Sequence, residues 1–206
     1  NELHEQILKD GAHFELSTMY HRVILQRVLD CINLLKNRRT EKNFLQELLS
    51  GKASAMLSWL NQMTFRNGEL PELNDSAKDI APATGELNAY ARQLDIFTDS
   101  LPLSESGYRK IAFTKYELII DAGNIIPSYN PGHAHCDMLN FCLNVNDKPV
   151  IVDCGTSTYE RSERRKYERS TVAHNTITVD SAEQSDVWSS FRMGRRARII
   201  DITASE

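Results

Sequence analysis

Cysteine pairs, long apolar runs and an excess of positive charge are all missing from this sequence. Its four cysteines show no CxxC spacing, and a chain of 206 residues is large enough to fold without disulfides, so we expect reduced, packed thiols. No apolar run reaches the roughly 18–20 residues of a membrane-spanning helix, and no signal peptide is visible. The net charge of −4 argues against a general nucleic-acid binder, whose surface is basic.

The composition is that of a globular protein. Hydrophobic residues make up 41% and charged residues 25% of the chain, which is enough for a sizeable core in one large or two small domains. The chain begins at Asn1 rather than methionine and ends at Glu206, soon after a strand-like segment. We therefore expect that it was cut from a longer protein.

The first half has the periodicity of helices. Ser17 or Thr18 is a good helix N-cap, and apolar residues then recur at helical spacing as far as Leu35. Similar spacing predicts further helices over 41–50, 53–65 and 84–97. The sequence therefore predicts several consecutive helices before residue 100.

Short strand-like segments replace the helical pattern near Leu101. They predict strands over 107–114, 116–121, 141–145, 149–153, 170–180 and 197–203. Asn146-Asp147 is a plausible hairpin turn between two of them. We place a domain boundary at about residue 100, with a helical domain over 1–100 and a strand-rich domain over 101–206.

A cluster of ionisable residues opens the central stretch of the second half. His133, His135 and Asp137 alternate along the chain, and in an extended backbone residues two apart share one face. Three such side chains are costly to bury without a metal or a hydrogen-bond network. The cluster is therefore a candidate metal-binding triad.

Four separated segments resemble the heparinase II/III-like family of polysaccharide lyases. They are DGAHFELSTMYH at 10–21, GHAHCDMLNF at 132–141, KPVIVDCGTSTY at 148–159 and RRKYERSTVAHNT at 164–176. The resemblance implies an α+β multidomain fold, in which the C-terminal helices of an incomplete α/α toroid are followed by the first part of an antiparallel β-sandwich. It also implies a periplasmic or secreted protein.

The resemblance implies β-elimination on an acidic polysaccharide, with Tyr20 and His133 as the proton-transfer pair. The substrate would be a uronic-acid polymer such as heparin or heparan sulfate, or else alginate or a bacterial surface polysaccharide. If Ser17 is the N-cap, Tyr20 lies in the first helical turn, where the helix dipole favours a phenolate. The family's carboxylate-neutralising asparagine or histidine would lie well before Tyr20, where this chain has no residue.

The resemblance also implies a structural metal held by His135, Asp153 and His174, with zinc preferred to calcium. Two imidazoles and a carboxylate suit zinc. A hairpin turning at Asn146-Asp147, however, pairs Asp153 with residue 140, about five residues from His135. A bulge could close that gap; otherwise the triad of His133, His135 and Asp137 remains the alternative.

Five basic residues between 161 and 169 form the densest positive patch. Within it, Arg165 and Arg169 are the candidate substrate-binding residues, because arginine binds carboxylate or sulfate through two parallel hydrogen bonds. Two other functions stay open: a non-catalytic glycan-binding module of the same fold, and a small-barrel metal oxygenase built on His133 and His135. The oligomeric state is left open.

Overall fold

A computed structural model describes residues 2–38, 44–98 and 100–203. Four α-helices come first: α1 (Glu2–Gln6), α2 (Thr18–Asn37), α3 (Phe44–Met63) and α4 (Thr84–Gln93). Strands β1 (Tyr108–Ala112), β2 (Tyr116–Asp121), β3 (Phe141–Val145) and β4 (Lys148–Ile151) follow. The chain continues through α5 (Glu163–Glu168), a 3₁₀ turn (Thr171–Ala173), β5 (Asp186–Trp188) and β6 (Arg192–Gly194). The α+β fold predicted from the sequence is confirmed.

The helical half is held by apolar packing among α2, α3 and α4. The core joins Leu25, Leu29 and Ile32 of α2 to Met56, Leu57 and Leu60 of α3 and to Leu87 and Ala91 of α4. Burying one such side chain stabilises the fold by about 1.5–3 kcal/mol. Among residues 2–38, 44–98 and 100–203, no helix has the length and apolar character that a membrane crossing requires.

Two helix predictions need correction. The segments 41–50 and 53–65 are one helix from Phe44 to Met63, because Gly51 does not interrupt it; residues 41–43 lie outside the described residues. The last helix ends at Gln93 rather than at 97. Leu94 and Ile96 beyond it still pack into the core, so their apolar spacing reflected burial and not helix.

The strands form one antiparallel sheet in the order β1-β2-β3-β4 and a separate β5-β6 hairpin. The turn at Asn146 (φ 49°) and Asp147 (φ 62°) joins β3 to β4, and two positive φ angles match the favoured two-residue hairpin. The predicted turn is therefore confirmed. The pairing shifts between Leu143 and Asn144, as at a β-bulge.

The predicted strands at 170–180 and 197–203 are wrong. The first begins with a 3₁₀ turn, and neither segment has regular strand structure. In the first, polar side chains bind other parts of the backbone: Asn175 Nδ2 donates to the carbonyls of Phe141 at 3.1 Å and Val152 at 2.8 Å. Such side-chain bonds compete with ladder hydrogen bonds.

The helical and strand-rich halves pack on each other through a shared core. Trp59 of α3 lies near Tyr108 of β1, with ring centroids 5.9 Å apart, and both side chains are fully buried. Asp10 accepts hydrogen bonds from Ser106 N at 2.9 Å and Ser106 Oγ at 2.6 Å. Residues from both halves can therefore build one site, although the division into two domains near residue 100 stays a prediction.

All four cysteines, Cys31, Cys136, Cys142 and Cys154, are free. Burial raises the pKa of the Cys136, Cys142 and Cys154 thiols to about 12. The sequence predicted reduced, packed thiols. Cys136 and Cys142 are buried as expected, whereas Cys31 and Cys154 are exposed.

Candidate functional site

Tyr20 and His133 meet where the two halves pack. The rings stack with centroids 4.5 Å apart and planes 13° from parallel. Tyr20 comes from the first turn of α2, where its backbone N–H donates to Oγ of the N-cap Ser17 at 3.1 Å. His133 comes from the turns before β3. Tyr20 and His133, which are 113 residues apart in the sequence, thus form one contact.

Two more aromatic side chains surround this pair. The hydroxyl oxygens of Tyr159 and Tyr20 are 2.9 Å apart, and the Phe191 ring lies 6.0 Å from the His133 ring, edge to face. Burial raises the pKa of Tyr159 far above its ordinary value, and the hydrogen bond with Tyr20 adds to this. Sequence reasoning missed Tyr159, although it ends the KPVIVDCGTSTY segment.

A carboxylate approaches the same histidine from the helical half. Glu15 Oε2 lies 3.1 Å from His133 Nδ1, and both side chains are about one-fifth exposed, at 21% and 23%. The contacts of Glu15, His133, Tyr20 and Tyr159 therefore bring a carboxylate, an imidazole and two phenols together where the two halves pack. Side chains of these types can serve as general acids and bases.

Arg165, a predicted substrate-binding residue, lies in a buried ion pair with Asp75. Its Nη2 donates to Asp75 Oδ2 at 2.7 Å, and its Nη1 donates to Asp75 Oδ1. His135 Nε2 lies 2.8 Å from the same Oδ1. Although burial opposes ionisation, hydrogen bonds from His135 and Arg165 and their charges hold the pKa of Asp75 below its usual range.

Arg169, the other predicted substrate-binding residue, is also buried. Its guanidinium donates to the carbonyls of Ala134 at 3.0 Å, Ser190 at 3.2 Å and Arg192 at 3.2 Å. Burial, followed by the charge of Arg165, lowers the pKa of Arg169 to about 10. Both arginines are thus engaged inside the protein, and direct contact with a polymer would require them to give up these partners.

His135, Asp153 and His174 form a second cluster, which is buried. The imidazole rings of His135 and His174 are 5.2 Å apart, and His174 Nδ1 lies 2.8 Å from Asp153 Oδ2. Although burial lowers the pKa of His174, the Asp153 hydrogen bond and nearby carboxylates raise it more. The three predicted metal ligands are therefore linked by contacts that run from His135 to His174 and from His174 to Asp153.

The atoms of this cluster fit a cation. Three buried atoms there have no hydrogen-bond partner: His135 Nδ1, His174 Nε2 and Asp137 Oδ2. Among the described residues, the group whose ligand atoms all lie within 4.8 Å of one another is Asp153, Cys154 and His174, which has Cys154 in place of the predicted His135. Unpaired nitrogen and oxygen donors inside a protein are costly, and a bound metal would satisfy them.

The alternative triad of His133, His135 and Asp137 is divided between the two clusters. His133 faces Glu15 and Tyr20, whereas His135 is fully buried beside Asp75. The same-face prediction assumed an extended backbone, but residues 131–140 contain turns instead.

The backbone turns between His135 and the start of β3, so the strand register does not extend to His135. Asn140 N donates to Asp137 O at 2.9 Å, and Leu139 between them has φ 64°. The chain therefore folds back before β3. Asn140 Nδ2 donates to Asp153 Oδ2 at 2.6 Å, so these two residues are neighbours through their side chains, whereas the strand pairing ends at Leu143 and Ile151 after a register shift.

Two family descriptions match the chain. The one for the heparinase II/III N-terminus covers residues 1–104, and the heparinase II/III-like, C-terminal one covers residues 98–206.

Similar solved structures include a heparan sulfate lyase HepC from Pedobacter heparinus, with a TM-score of 0.70 and 18% identity over 91% of this chain and 34% of that one. A heparinase III structure gives a TM-score of 0.67 and 16% identity over 88% of this chain and 34% of that one. At these identities the likeness concerns the fold. The chain spans about a third of the length of these proteins, 34% in both cases.

A curated alginate lyase from Stenotrophomonas maltophilia (strain K279a) is 34% identical over 73 residues, which is 31% of this chain and 10% of that protein.

Proposed function

This chain belongs to the heparinase II/III-like family, and from that premise we propose that it carries part of the catalytic site of a polysaccharide lyase. The observation that carries the proposal is the stacked contact of Tyr20 with His133. Family membership, together with a half built from helices, removes the basis for a small-barrel metal oxygenase.

The proposed substrate is a polymer that contains uronic acid, in the first place a glycosaminoglycan of the heparin or heparan sulfate type. The names of the similar proteins support the class, since heparan sulfate and alginate both contain hexuronic acids. The alginate lyase similarity favours alginate as the second candidate. Because such polymers lie outside the cytoplasm, we also propose that the protein is periplasmic or secreted.

The proposed reaction is β-elimination. One member of the pair removes the proton from C5 of the uronic acid, the electrons form the C4–C5 double bond, and the C4–O4 bond breaks. The other member donates a proton to the leaving O4. Tyr20 and His133 are both side chains that can transfer protons, and their contact allows both to reach one sugar residue.

Two neighbours can stabilise negative charge that develops on the Tyr20 oxygen during the reaction. Its position in the first turn of α2 exposes it to the positive end of the helix dipole. Tyr159, whose raised pKa keeps its own proton in place, can donate a hydrogen bond to the Tyr20 oxygen across 2.9 Å. We assign no residue of this chain to neutralise the substrate carboxylate.

We propose zinc as the structural metal, held by His135, Asp153 and His174, with the unpaired Asp137 Oδ2 available as a fourth donor. Nitrogen and oxygen donors of this kind suit zinc, and structural zinc sites have four protein ligands. When bound, zinc would neutralise buried carboxylate charge and join the segments before β3, after β4 and after α5. His133 is not a ligand in this set and remains available for proton transfer together with Tyr20.

The test is a substrate panel with the full-length protein. Heparan sulfate, alginate, hyaluronan and chondroitin are each incubated with enzyme, and ultraviolet absorbance reports the unsaturated product. Tyr20→Phe should lower the rate about 10²–10⁴-fold, the usual contribution of general acid–base catalysis. Tyr116→Phe, which removes a hydroxyl from an exposed residue of β2, should leave the rate unchanged.

Two outcomes would contradict the lyase proposal. One is the absence of unsaturated product from every polymer. The other is a Tyr20→Phe enzyme as active as the wild type. Binding of a polyanion without any product, unaffected by Tyr20→Phe and weakened by salt, would instead support the non-catalytic glycan-binding module.

A further inference from the structure

Glu15 lies between two histidines, His133 and His13. Its Oε2 lies 3.1 Å from Nδ1 of His133 and 3.9 Å from Nδ1 of His13. The first distance is that of a hydrogen bond and the second is longer than one. The carboxylate therefore interacts mainly with His133, which belongs to the other half of the protein.

The backbone around Glu15 is fixed on both sides. Leu16 has φ 55°, an uncommon angle for a residue with a side chain, and its carbonyl accepts hydrogen bonds from Tyr108 OH at 2.9 Å and Asn74 Nδ2 at 3.3 Å. Ser17 then caps the helix that carries Tyr20. One short segment thus sets the positions of both the carboxylate and the phenol relative to His133.

The charge states suit a lasting interaction. Burial raises the pKa of Glu15, but the hydrogen bond from His133 and the charges of His133 and His13 outweigh it, so that the pKa is lowered overall. Burial lowers the pKa of His13 to about 4, against the opposing effect of Glu15. At neutral pH Glu15 is therefore ionised and His13 is uncharged, so His13 does not neutralise the carboxylate.

We infer that Glu15 is a positioning residue for the proposed lyase reaction, and that its carboxylate keeps the proton of neutral His133 on Nδ1. Nε2 is then the nitrogen that exchanges a proton with the sugar. The carboxylate also stabilises the imidazolium that forms when Nε2 is protonated, as the aspartate does in a serine protease triad. The expected effect on kcat rests on the proposed function, whereas the expected tautomer of His133 does not depend on it.

Kinetics of the full-length protein provide the first test. Glu15→Gln removes the charge with little change in size and should lower kcat about 10²–10⁴-fold, the range of general acid–base effects, with KM close to that of the wild type. Glu15→Asp keeps the charge and should restore part of kcat. Glu163→Gln makes the same change at a side chain that is 95% exposed and should have no effect.

A second measurement is independent of activity. In protein labelled with ¹⁵N-histidine, the His133 resonances, identified by their loss in His133→Ala, report which ring nitrogen carries the proton. The wild type should show the Nδ1–H form, and Glu15→Gln should shift His133 toward the Nε2–H form, since the glutamine amide can donate to Nδ1.

The inference is overturned if wild-type His133 carries its proton on Nε2, or if Glu15→Gln retains wild-type kcat in an active enzyme. If the wild type forms no unsaturated product, the proposed function fails and the resonances alone decide the role of Glu15.

Discussion

Asp75 is the residue whose loss should do most damage to the architecture of the site. It lies between α3 and α4 in the helical half and binds Arg165 and His135 of the strand-rich half. Its side chain is fully buried, and that of Arg165 is 1% exposed. Asp75→Asn would leave the guanidinium buried opposite a neutral amide.

The expected cost follows from this burial. Removing one partner of a buried ion pair typically destabilises a protein by about 3–5 kcal/mol, because the remaining charge is uncompensated. For a chain of this size, each kcal/mol lowers Tm by about 2–4 °C, so we expect a fall of roughly 6–20 °C. Asp75→Asn combined with Arg165→Met removes both charges and should regain part of the loss.

Thermal unfolding followed by circular dichroism and urea titration measure the effect. The control is Asp186→Asn, which removes a pair with Arg195 whose side chains are 50% and 75% exposed; exposed pairs contribute about 0–1 kcal/mol. An Asp75→Asn protein within about 1 kcal/mol of the wild type would refute the reasoning that the buried pair joins the two halves.

Two further predictions concern pH and metal. Burial lowers the pKa of His13 from its ordinary value of 6.5 to about 4, so the stability that uncharged His13 allows is complete above pH 6.5 and is lost as the pH falls toward 4. Between these pH values the wild type should lose about 2–3 kcal/mol more than His13→Gln in urea titrations, and equal pH dependence would contradict this. Elemental analysis should find one zinc in the wild type and in the exposed-site control His4→Ala, but little in His174→Ala or Asp153→Asn; unchanged zinc in those two variants, or none in the wild type, would contradict the proposed site.

Local patterns predicted the elements whose causes are local. The Ser17 cap, the helix that follows it and the Asn146-Asp147 hairpin depend on residues close together in sequence, and each is present. The strand predicted at 170–180 failed because Asn175 binds the carbonyls of Phe141 and Val152, partners that no local pattern reveals.

The candidate site shows the same limit. The resemblance singled out Tyr20 and His133, but the contacts of Glu15 with His133 and of Tyr159 with Tyr20 form only when the two halves are packed together. Arg165 was selected for its charge in a basic run, and such a run gives no sign that a buried Asp75 lies opposite.

The most direct test of the account is the mass of the fragments that the full-length protein releases from a uronic-acid polymer. β-Elimination leaves a C4–C5 double bond at one of the two new ends, so each new non-reducing end is one water lighter than the same end after hydrolysis. The account predicts such ends from the wild type and almost none from Tyr20→Phe. Ends that have gained water, or equal amounts of unsaturated ends from both proteins, would contradict it.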